Sequence, residues 1–209
     1  MTALMLAARD ECPPYHNTTT LIKLGADVNA QDLNGNTALI WAISEDRSWK
    51  DKGPLVSLLM DGGADPNKSN NKSMTPLLLA AINKEGAGVI TVLAEKGANL
   101  NLRSNDQMTA LMYAAAYGLK DNVNTLLEHG ADINAQSKSG MTALHFAAHN
   151  GDQDMANHLM DRGAEKSILN KNGQTASHLA WEVFNKRFDQ SWFDTQSMLD
   201  KSVPHSGPY

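Results

Sequence analysis

The feature that most constrains this chain is a seven-residue stretch, residues 142–148, that recurs along almost the whole sequence. It reads Thr-Ala-Leu-x-x-Ala-Ala and is called the threonine motif below. Its copies begin 33 to 38 residues apart. A repeat of nearly fixed length predicts an array of similar units, each burying its apolar face against its neighbours. The copies open at Thr2, Thr37, Thr75, Thr109, Thr142 and Thr175.

Each copy has the composition of a helix start. The threonine hydroxyl can accept a hydrogen bond from an otherwise unpaired amide of the first turn, as a good N-cap does. The leucine and alanines that follow lie at helical spacing on one face. Since alanine is small, neighbouring helices can approach closely. The sequence therefore predicts that each unit begins with a short helix stacked tightly on the next.

A second motif keeps the same spacing. It reads Gly-Ala-Asp/Asn-x-Asn and is called the glycine motif. Its glycine ends the second helix of each unit, because glycine readily adopts the left-handed conformation that stops a helix. The residues that follow lead into turns, for which Asn34-Gly35 and Ser139-Gly140 are good signals. The copies are residues 25–29, 63–67, 97–101 and 130–134, with a degraded copy at 163–167.

Together, the two motifs resemble those of the ankyrin-repeat family over roughly residues 1–181. The resemblance implies an all-α ankyrin-repeat solenoid of about six helix-turn-helix units, joined by protruding β-turn fingers. We expect one array over residues 1–201, ending in a C-terminal cap, and a flexible tail over 202–209. The predicted repeats are about 1–31, 32–65, 66–99, 100–132, 133–165 and 166–201.

Two repeats carry insertions between their helices. In the first, Pro13 and Pro14 cannot continue a helix, so Thr18, Thr19 or Thr20 is expected to cap the second helix. In the second, residues 45–53 form a charged segment that contains Trp49. Solenoids place insertions on one face, which often binds a partner. The alternative is a solvated loop whose Trp49 folds back onto neighbouring helices.

Composition limits the class of partner and the compartment. With 18 basic and 23 acidic residues, the net charge of −5 argues against a nucleic-acid binder. The single cysteine, Cys12, excludes an internal disulfide framework and favours a reducing compartment.

No apolar run approaches the roughly 20 residues that span a bilayer, and no secretory signal is visible. We therefore expect a cytoplasmic protein with no membrane partner. Met1 directly precedes a predicted helix, so lost upstream sequence is an open alternative.

No pattern of catalysis stands out. The chain has neither a glycine-rich phosphate loop nor a Gly-x-Ser-x-Gly elbow. His145 and His149 could share a helix face as metal ligands do, but they lack the glutamate of His-Glu-x-x-His. The ankyrin resemblance gives His145 and His178 a structural role instead. We expect no enzymatic activity, no cofactor, no metal and no small-molecule substrate.

The resemblance also implies where a partner binds, namely a concave groove lined by the fingers and the first helices. Met74, Met108 and Met141 stand directly before a capping threonine. Together they would form a line of methionines along one edge of the groove, whose flexible apolar side chains can adapt to a partner. Alternatively, each covers its neighbouring finger and helps the stack. Tyr117 is the best anchor, because tyrosine combines apolar area with a hydroxyl. The predicted partner-binding residues are Asn36, Met74, Met108, Met141, Tyr117, His149, Asn150 and Trp49.

Two departures from the pattern matter. Ser73 and Gln107 stand where other fingers have glycine, so these fingers lose a residue that easily adopts positive φ. They are either specialised for a ligand or tolerated drift. Residues 181–193 hold five aromatic side chains, which favours a cap on the open end of the core over a docking patch.

The sequence thus predicts a non-enzymatic protein–protein interaction module that binds one folded protein through its groove, as an inhibitor or immunity-type protein. The alternatives are an adaptor or host-directed effector, the binding part of an enzyme whose catalytic domain is absent from this chain, and a passive spacer. Fold alone does not name the partner.

Overall fold

The computed structural model describes residues 1–10, 14–44 and 52–185. Cys12, Trp49 and the predicted tail over 202–209 lie outside these ranges. Every regular element within them is a helix. The helices are α1 (Ala3–Asp10), α2 (His16–Lys23), α3 (Ala38–Ser44), α4 (Lys52–Asp61), α5 (Pro76–Ala81), α6 (Ala87–Glu95), α7 (Ala110–Ala116), α8 (Lys120–Glu128), α9 (Ala143–Asn150), α10 (Gln153–Asp161) and α11, residues 176–185.

The helices form two layers. The odd-numbered helices α1 to α9 pack in succession, each against the next, and are called inner helices. Each pairs with the even-numbered helix that follows it, and the outer helices α4, α6 and α8 also pack in succession. This is the all-α solenoid of helix pairs that the repeat predicts.

The constant part of the threonine motif builds the core. Its leucine is buried in every inner helix from α1 to α9, and the last two residues of each copy from α3 to α9, both alanine except for Ile43, are buried too. Burying one leucine side chain stabilises the folded chain by about 1.5–3 kcal/mol, so this repeated position contributes much of the stacking energy. The buried leucines are Leu4, Leu39, Leu77, Leu111 and Leu144.

The motif threonines are N-caps, as predicted. The hydroxyl of Thr75 accepts a hydrogen bond of 3.2 Å from the amide of Leu78. Thr109 and Thr142 accept equivalent bonds of 3.4 Å. Such a cap contributes about 0.5–2 kcal/mol to a helix, which matters because the inner helices are only six to eight residues long.

The predicted cap of the second helix in repeat one is wrong. Helix α2 begins at His16, and its N-cap is Tyr15 in the left-handed conformation with φ of 56°. Thr18 is therefore buried inside the helix, and the Thr19 hydroxyl donates a 2.8 Å bond to the carbonyl of Tyr15. The left-handed residue turns the chain into the helix before any threonine is reached.

All the fingers have the same backbone turn. In the first, the amide of Asp32 donates to the carbonyl of Asn36 at 3.0 Å, and that of Gly35 donates to Asp32 at 2.9 Å. Ser73 and Gln107 take the place of Gly35 with φ of 56° and 57°. The loss of glycine therefore leaves the finger shape unchanged, and these two residues bear the strain of the left-handed region.

The last asparagine of the glycine motif joins each repeat to the next. Asn29 accepts a 2.8 Å bond from the amide of Asp65, and Asn67 accepts one of 2.8 Å from Asn99. Asn101 and Asn134 make the equivalent bonds, of 3.1 and 2.9 Å, to the repeats that follow them. This ladder explains why the asparagine recurs while the residue before it varies.

Candidate protein-interaction surface

A row of partly exposed apolar side chains runs along the inner helices. They occupy the fifth position of the threonine motif, which sequence reasoning left as an unspecified x. Leu6 at the amino-terminal end is 43% exposed, and the other members are half-buried. In the last copy this position is Leu179, which is buried. The apolar row consists of Leu6, Trp41, Leu79, Tyr113 and Phe146.

Hydrogen bonds place this row where the fingers meet the inner helices. The indole nitrogen of Trp41 donates to the Asp32 carboxylate at 3.0 Å. The Tyr113 hydroxyl donates to the hydroxyl of Ser104 at 3.2 Å. Asp32 and Ser104 are equivalent first residues of finger turns, so the apolar row and the fingers form one surface, the finger–helix face.

Neighbouring fingers are themselves connected. The amide of Asn71 donates to the carbonyl of Asn34 at 3.0 Å, and that of Lys138 donates to Asp106 at 2.9 Å. Gln31 uses its side-chain amide to reach Gly35 of its own finger and Ser69 of the next. The finger–helix face is thus pre-formed, which lowers the entropy cost of binding.

The three predicted methionines lie at the edge of this face. Met74, Met108 and Met141 are all half-buried. Met74 and Met141 also pack against the hydrophobic core. Both roles considered for them, contact with a partner and support of the stack, are therefore compatible with their positions. Asn36, the equivalent residue in the first finger, accepts a 3.0 Å bond from the side-chain amide of Asn70 and so links two fingers.

Three further predicted contacts lie at the carboxyl ends of inner helices, and the fourth, Trp49, lies outside the described residues. Tyr117 follows α7 and is 63% exposed. His149 and Asn150 end α9 and are exposed. Asn150 also donates a 2.6 Å bond to the carbonyl of Ala116, which fastens the end of α9 to the end of α7. Tyr117 is therefore exposed to solvent, whereas Asn150 uses its side-chain amide to hold two inner helices together.

In the first finger, hydrogen bonds stabilise the ionised carboxylate of Asp32. Burial raises the pKa of Asp32, but hydrogen bonds from the amides of Asn36 and Asn34 and from the indole of Trp41 outweigh it, so the net pKa is lowered. The Arg9 guanidinium lies 5.9 Å from the centre of the Trp41 ring. This end of the apolar row therefore combines an aromatic ring with both signs of charge.

His145 has the structural role that the ankyrin resemblance implies. Its Nδ1 accepts from the amide of Thr142 at 3.2 Å, so the proton sits on Nε2, which donates to the carbonyl of Gln174 at 3.2 Å. Burial lowers the pKa of His145, and the bonds to the backbone of Gln174 and Ile168 only partly oppose this. The neutral imidazole thus joins α9 to the next finger.

The described residues contain neither a group of metal-ligating side chains nor a membrane-spanning helix. No three His, Cys, Asp or Glu side chains there are grouped as a metal site requires. Among the same residues, no helix has the length and apolar character needed to cross a membrane.

Two family models match the sequence over overlapping stretches. Residues 48–137 match "Ankyrin repeats (3 copies)", and residues 126–180 match "Ankyrin repeats (many copies)". The chain belongs to the ankyrin-repeat family. Ankyrin repeats generally serve as protein–protein interaction modules.

A solved structure agrees with this over nearly the full length. The crystal structure of EF0377, an ankyrin repeat protein, is 31% identical with a TM-score of 0.76. The similarity covers 87% of this chain and 91% of that chain.

Two curated relatives match only in part. An L-asparaginase from Dirofilaria immitis is 41% identical over 69 residues, which is 32% of this chain and 11% of the relative. Protein lin-12 from Caenorhabditis elegans is 37% identical over 79 residues, which is 38% of this chain and 5% of the relative. The chain thus spans a small part of the length of either protein.

Proposed function

We propose that this ankyrin-repeat chain is a non-enzymatic binding module that recognises one folded protein through the finger–helix face. The observation that carries the proposal is the apolar row at the fifth position of the threonine motif. Three of its five members are aromatic, and all are partly exposed. Residues that only build the stack, such as the motif leucines, are buried instead.

Energetics support a protein partner. Aromatic side chains dominate interface energies, because each buries a large apolar area with little loss of conformational entropy. Tyr117 adds an exposed aromatic ring beyond the end of α7. The half-buried methionines at the finger bases can adapt to the contour of the partner. A connected set of fingers holds these groups in place before binding.

Affinity capture with matched variants tests the proposal. The bait is the full chain, and the test variants are Tyr117→Ala and Phe146→Ala, which truncate side chains of this face. Glu128→Ala is the control, because Glu128 is exposed on the outer helix α8. We expect the control to retain the captured protein and both test variants to lose it. Equal retention by all three variants would refute the finger–helix face as the site.

Within this class, we favour an inhibitor or immunity-type role in the cytoplasm. The single cysteine supports this compartment, because structural disulfides are rare where the environment is reducing. An adaptor or host-directed effector uses the same face. If the captured partner is an enzyme or a toxin, its activity in the presence of the chain separates these roles: an inhibitor abolishes that activity, whereas an adaptor leaves it intact.

A second candidate is that the array is the binding part of a larger enzyme. The partial match to an L-asparaginase favours it, although the matched stretch is a small share of that protein. The coding sequence on either side of this chain and an assay for asparagine hydrolysis by the whole protein test this candidate directly. An appended catalytic domain would support it, and an inactive protein of only these repeats would exclude it.

A further inference from the structure

Positive and negative charges are distributed unevenly over the array. Many exposed carboxylates lie on the outer helices, such as those of Glu95, Glu128 and Asp161, and others lie in the glycine motif. The charged side chains of the fourth and fifth finger turns, residues 137–141 and 170–174, are all lysines. Since the whole chain has a net charge of −5, these fingers are opposite in sign to the protein that carries them.

Three cations lie along these fingers. Lys138 and Lys171 are the second residues of the two turns, and both are exposed. Arg103 is exposed as well, and its guanidinium donates a 2.6 Å bond to the carbonyl of Gln136, directly before the fourth finger turn. A guanidinium has five N–H donors, so this bond leaves donors of Arg103 for another acceptor. The basic finger edge consists of Arg103, Lys138 and Lys171.

The backbone that carries these cations is fixed by bonds between fingers. The amide of Lys171 donates to the carbonyl of Ser139 at 2.9 Å, just as the amide of Lys138 is bonded to the third finger. The side-chain amide of Gln136 donates to the carbonyl of Leu169 at 3.1 Å, directly before the fifth finger turn. The basic finger edge therefore loses little backbone entropy when a partner binds.

The cations of this edge are not neutralised by carboxylates of the described residues. Asp106 belongs to the third finger and is exposed, but it forms no ion pair with Lys138. Two ion pairs are found in this part of the chain, and both lie away from the finger turns: Arg9 with Asp10, and Lys96 with Asp61. An anionic group from outside the chain can therefore bind here without displacing an internal partner.

The surroundings of the edge favour an acidic protein surface over a nucleic acid. Phe146 of the apolar row lies on α9, the inner helix that follows the fourth finger, and the half-buried Met141 ends that finger. Apolar contacts and cations thus adjoin each other. Three cations can match a few carboxylates at contact distance, whereas the net charge of −5 opposes the long row of phosphates in a nucleic acid.

We propose that the basic finger edge binds carboxylate side chains of the partner protein. The partner surface is then acidic where it meets the third to fifth fingers and apolar where it meets Phe146. This inference rests on the proposed function, and it adds the chemistry of the partner and its orientation along the repeats. Attraction between the two surfaces raises the association rate and fixes which end of the partner lies at the fifth finger.

Nuclear magnetic resonance of the full chain with a short poly-glutamate peptide tests the site without the partner. We expect saturable shifts of the amides in the fourth and fifth finger turns, which weaken as salt screens the charges. In the chain carrying Lys138→Glu and Lys171→Glu, the dissociation constant of the peptide should rise about tenfold or more. The backbone bonds of both residues remain possible in this variant, and circular dichroism confirms its folding.

The control chain carries Lys23→Glu and Lys120→Glu, the same change of charge at exposed positions of the outer helices α2 and α8. It should bind the peptide as the unchanged chain does. Absence of saturable binding, or equal weakening in the test and control chains, would overturn the proposal. Single-stranded DNA that binds the same fingers more tightly than poly-glutamate would overturn it too.

The captured partner shows which of the two proposals fails. We expect its association rate to fall about tenfold in the Lys138→Glu, Lys171→Glu chain and to stay unchanged in the control chain. If Tyr117→Ala and Phe146→Ala lose the partner while the Lys138→Glu, Lys171→Glu chain binds it at the unchanged rate, the finger–helix face stands and the acidic contact is refuted. If both alanine variants retain the partner, the proposed face itself is refuted.

Discussion

The buried side chain of Asn122 allows the packing account to be tested quantitatively. At the equivalent position, eight residues before the glycine motif, the outer helices α4, α6 and α10 have Leu55, Val89 and Met155, all buried and apolar, whereas α2 at the end of the array has Asn17, which is exposed. Asn122 is itself fully buried on α8. It therefore replaces an apolar residue in the core between two repeats, where burial of a polar group requires hydrogen bonds.

The bonds of Asn122 explain why the polar side chain is tolerated. Its amide nitrogen donates to the carbonyls of Asn83 at 2.7 Å and of Ala81 at 3.1 Å, beyond the end of α5 and at its last residue. Within the described residues its oxygen has no hydrogen-bond partner. The side chain thus terminates a short helix of the preceding repeat, at the expense of one buried acceptor left unpaired.

The substitution Asn122→Ala removes both bonds. Two neutral hydrogen bonds contribute about 1 kcal/mol each, and the truncation also leaves a small cavity. The unpaired oxygen disappears at the same time, which offsets about 1 kcal/mol or more. We expect a net loss of about 2 kcal/mol in the free energy of unfolding.

Urea denaturation followed by circular dichroism measures this loss, with Glu128→Ala on the same helix as the control. The control should lie within about 0.5 kcal/mol of the unchanged chain, since Glu128 is exposed. Asn122→Leu, which has an apolar side chain as the equivalent residues of α4, α6 and α10 do, also removes the hydrogen bonds but leaves no cavity. Comparing it with Asn122→Ala therefore separates the loss of the bonds from the cost of the cavity. If Asn122→Ala is neutral, the amide bonds do not hold the end of α5 and our account of this contact is refuted.

Three further predictions concern the finger turns, the inter-repeat ladder and His145. Gln107→Gly should raise the free energy of unfolding by about 0.5–1 kcal/mol in urea denaturation, because it relieves a left-handed φ at a small entropy cost, and a loss of stability would contradict the strain. Asn67→Ala should lower it by about 1 kcal/mol, measured in the same way, because the amide of Asn99 loses its acceptor, and no change would show that water replaces the bond. Burial lowers the pKa of His145 below its ordinary value of 6.5, so its contribution to stability is full above that value and decreases as the pH falls toward its pKa in the folded chain. The drop in the urea midpoint between pH 8 and pH 5.5 should therefore shrink in His145→Gln but not in His16→Gln, an exposed control, and an equal drop in both would exclude His145 as the source.

The features that all repeats share are well predicted by the sequence. Every copy of the threonine motif has the same physical task, so the caps at Thr75, Thr109 and Thr142 follow from one rule. The same holds for the structural role of His145. The finger turns keep their shape even at Ser73 and Gln107, because the stack around each finger determines its backbone more strongly than the intrinsic preference of one residue.

Features that depend on one repeat alone are not predictable in this way. The start of α2 depends on the left-handed conformation of Tyr15, and tyrosine is not among the residues, such as glycine, asparagine and aspartate, that commonly adopt it. The hydrogen bond from Asn150 to the carbonyl of Ala116 joins residues 34 apart in the chain, and local sequence patterns do not predict such a bond. The sequence therefore presents Asn150 as a contact for a partner, whereas in the structure its side chain is hydrogen-bonded to the neighbouring repeat. The residues of the apolar row are visible in the sequence, since the fifth motif position is always large and apolar. Whether these side chains belong to the core or to a binding surface depends on their exposure, which only the structure gives.

Binding at the finger–helix face is the central claim, and calorimetric titration of the purified partner tests it most directly. Each chain is titrated under identical conditions, with circular dichroism to confirm folding. The account predicts that Tyr117→Ala and Phe146→Ala each raise the dissociation constant by about tenfold or more, as loss of an aromatic anchor does, while Glu128→Ala leaves it unchanged. Unchanged affinity in both test variants, or weakened binding in the Glu128→Ala chain alone, would contradict it.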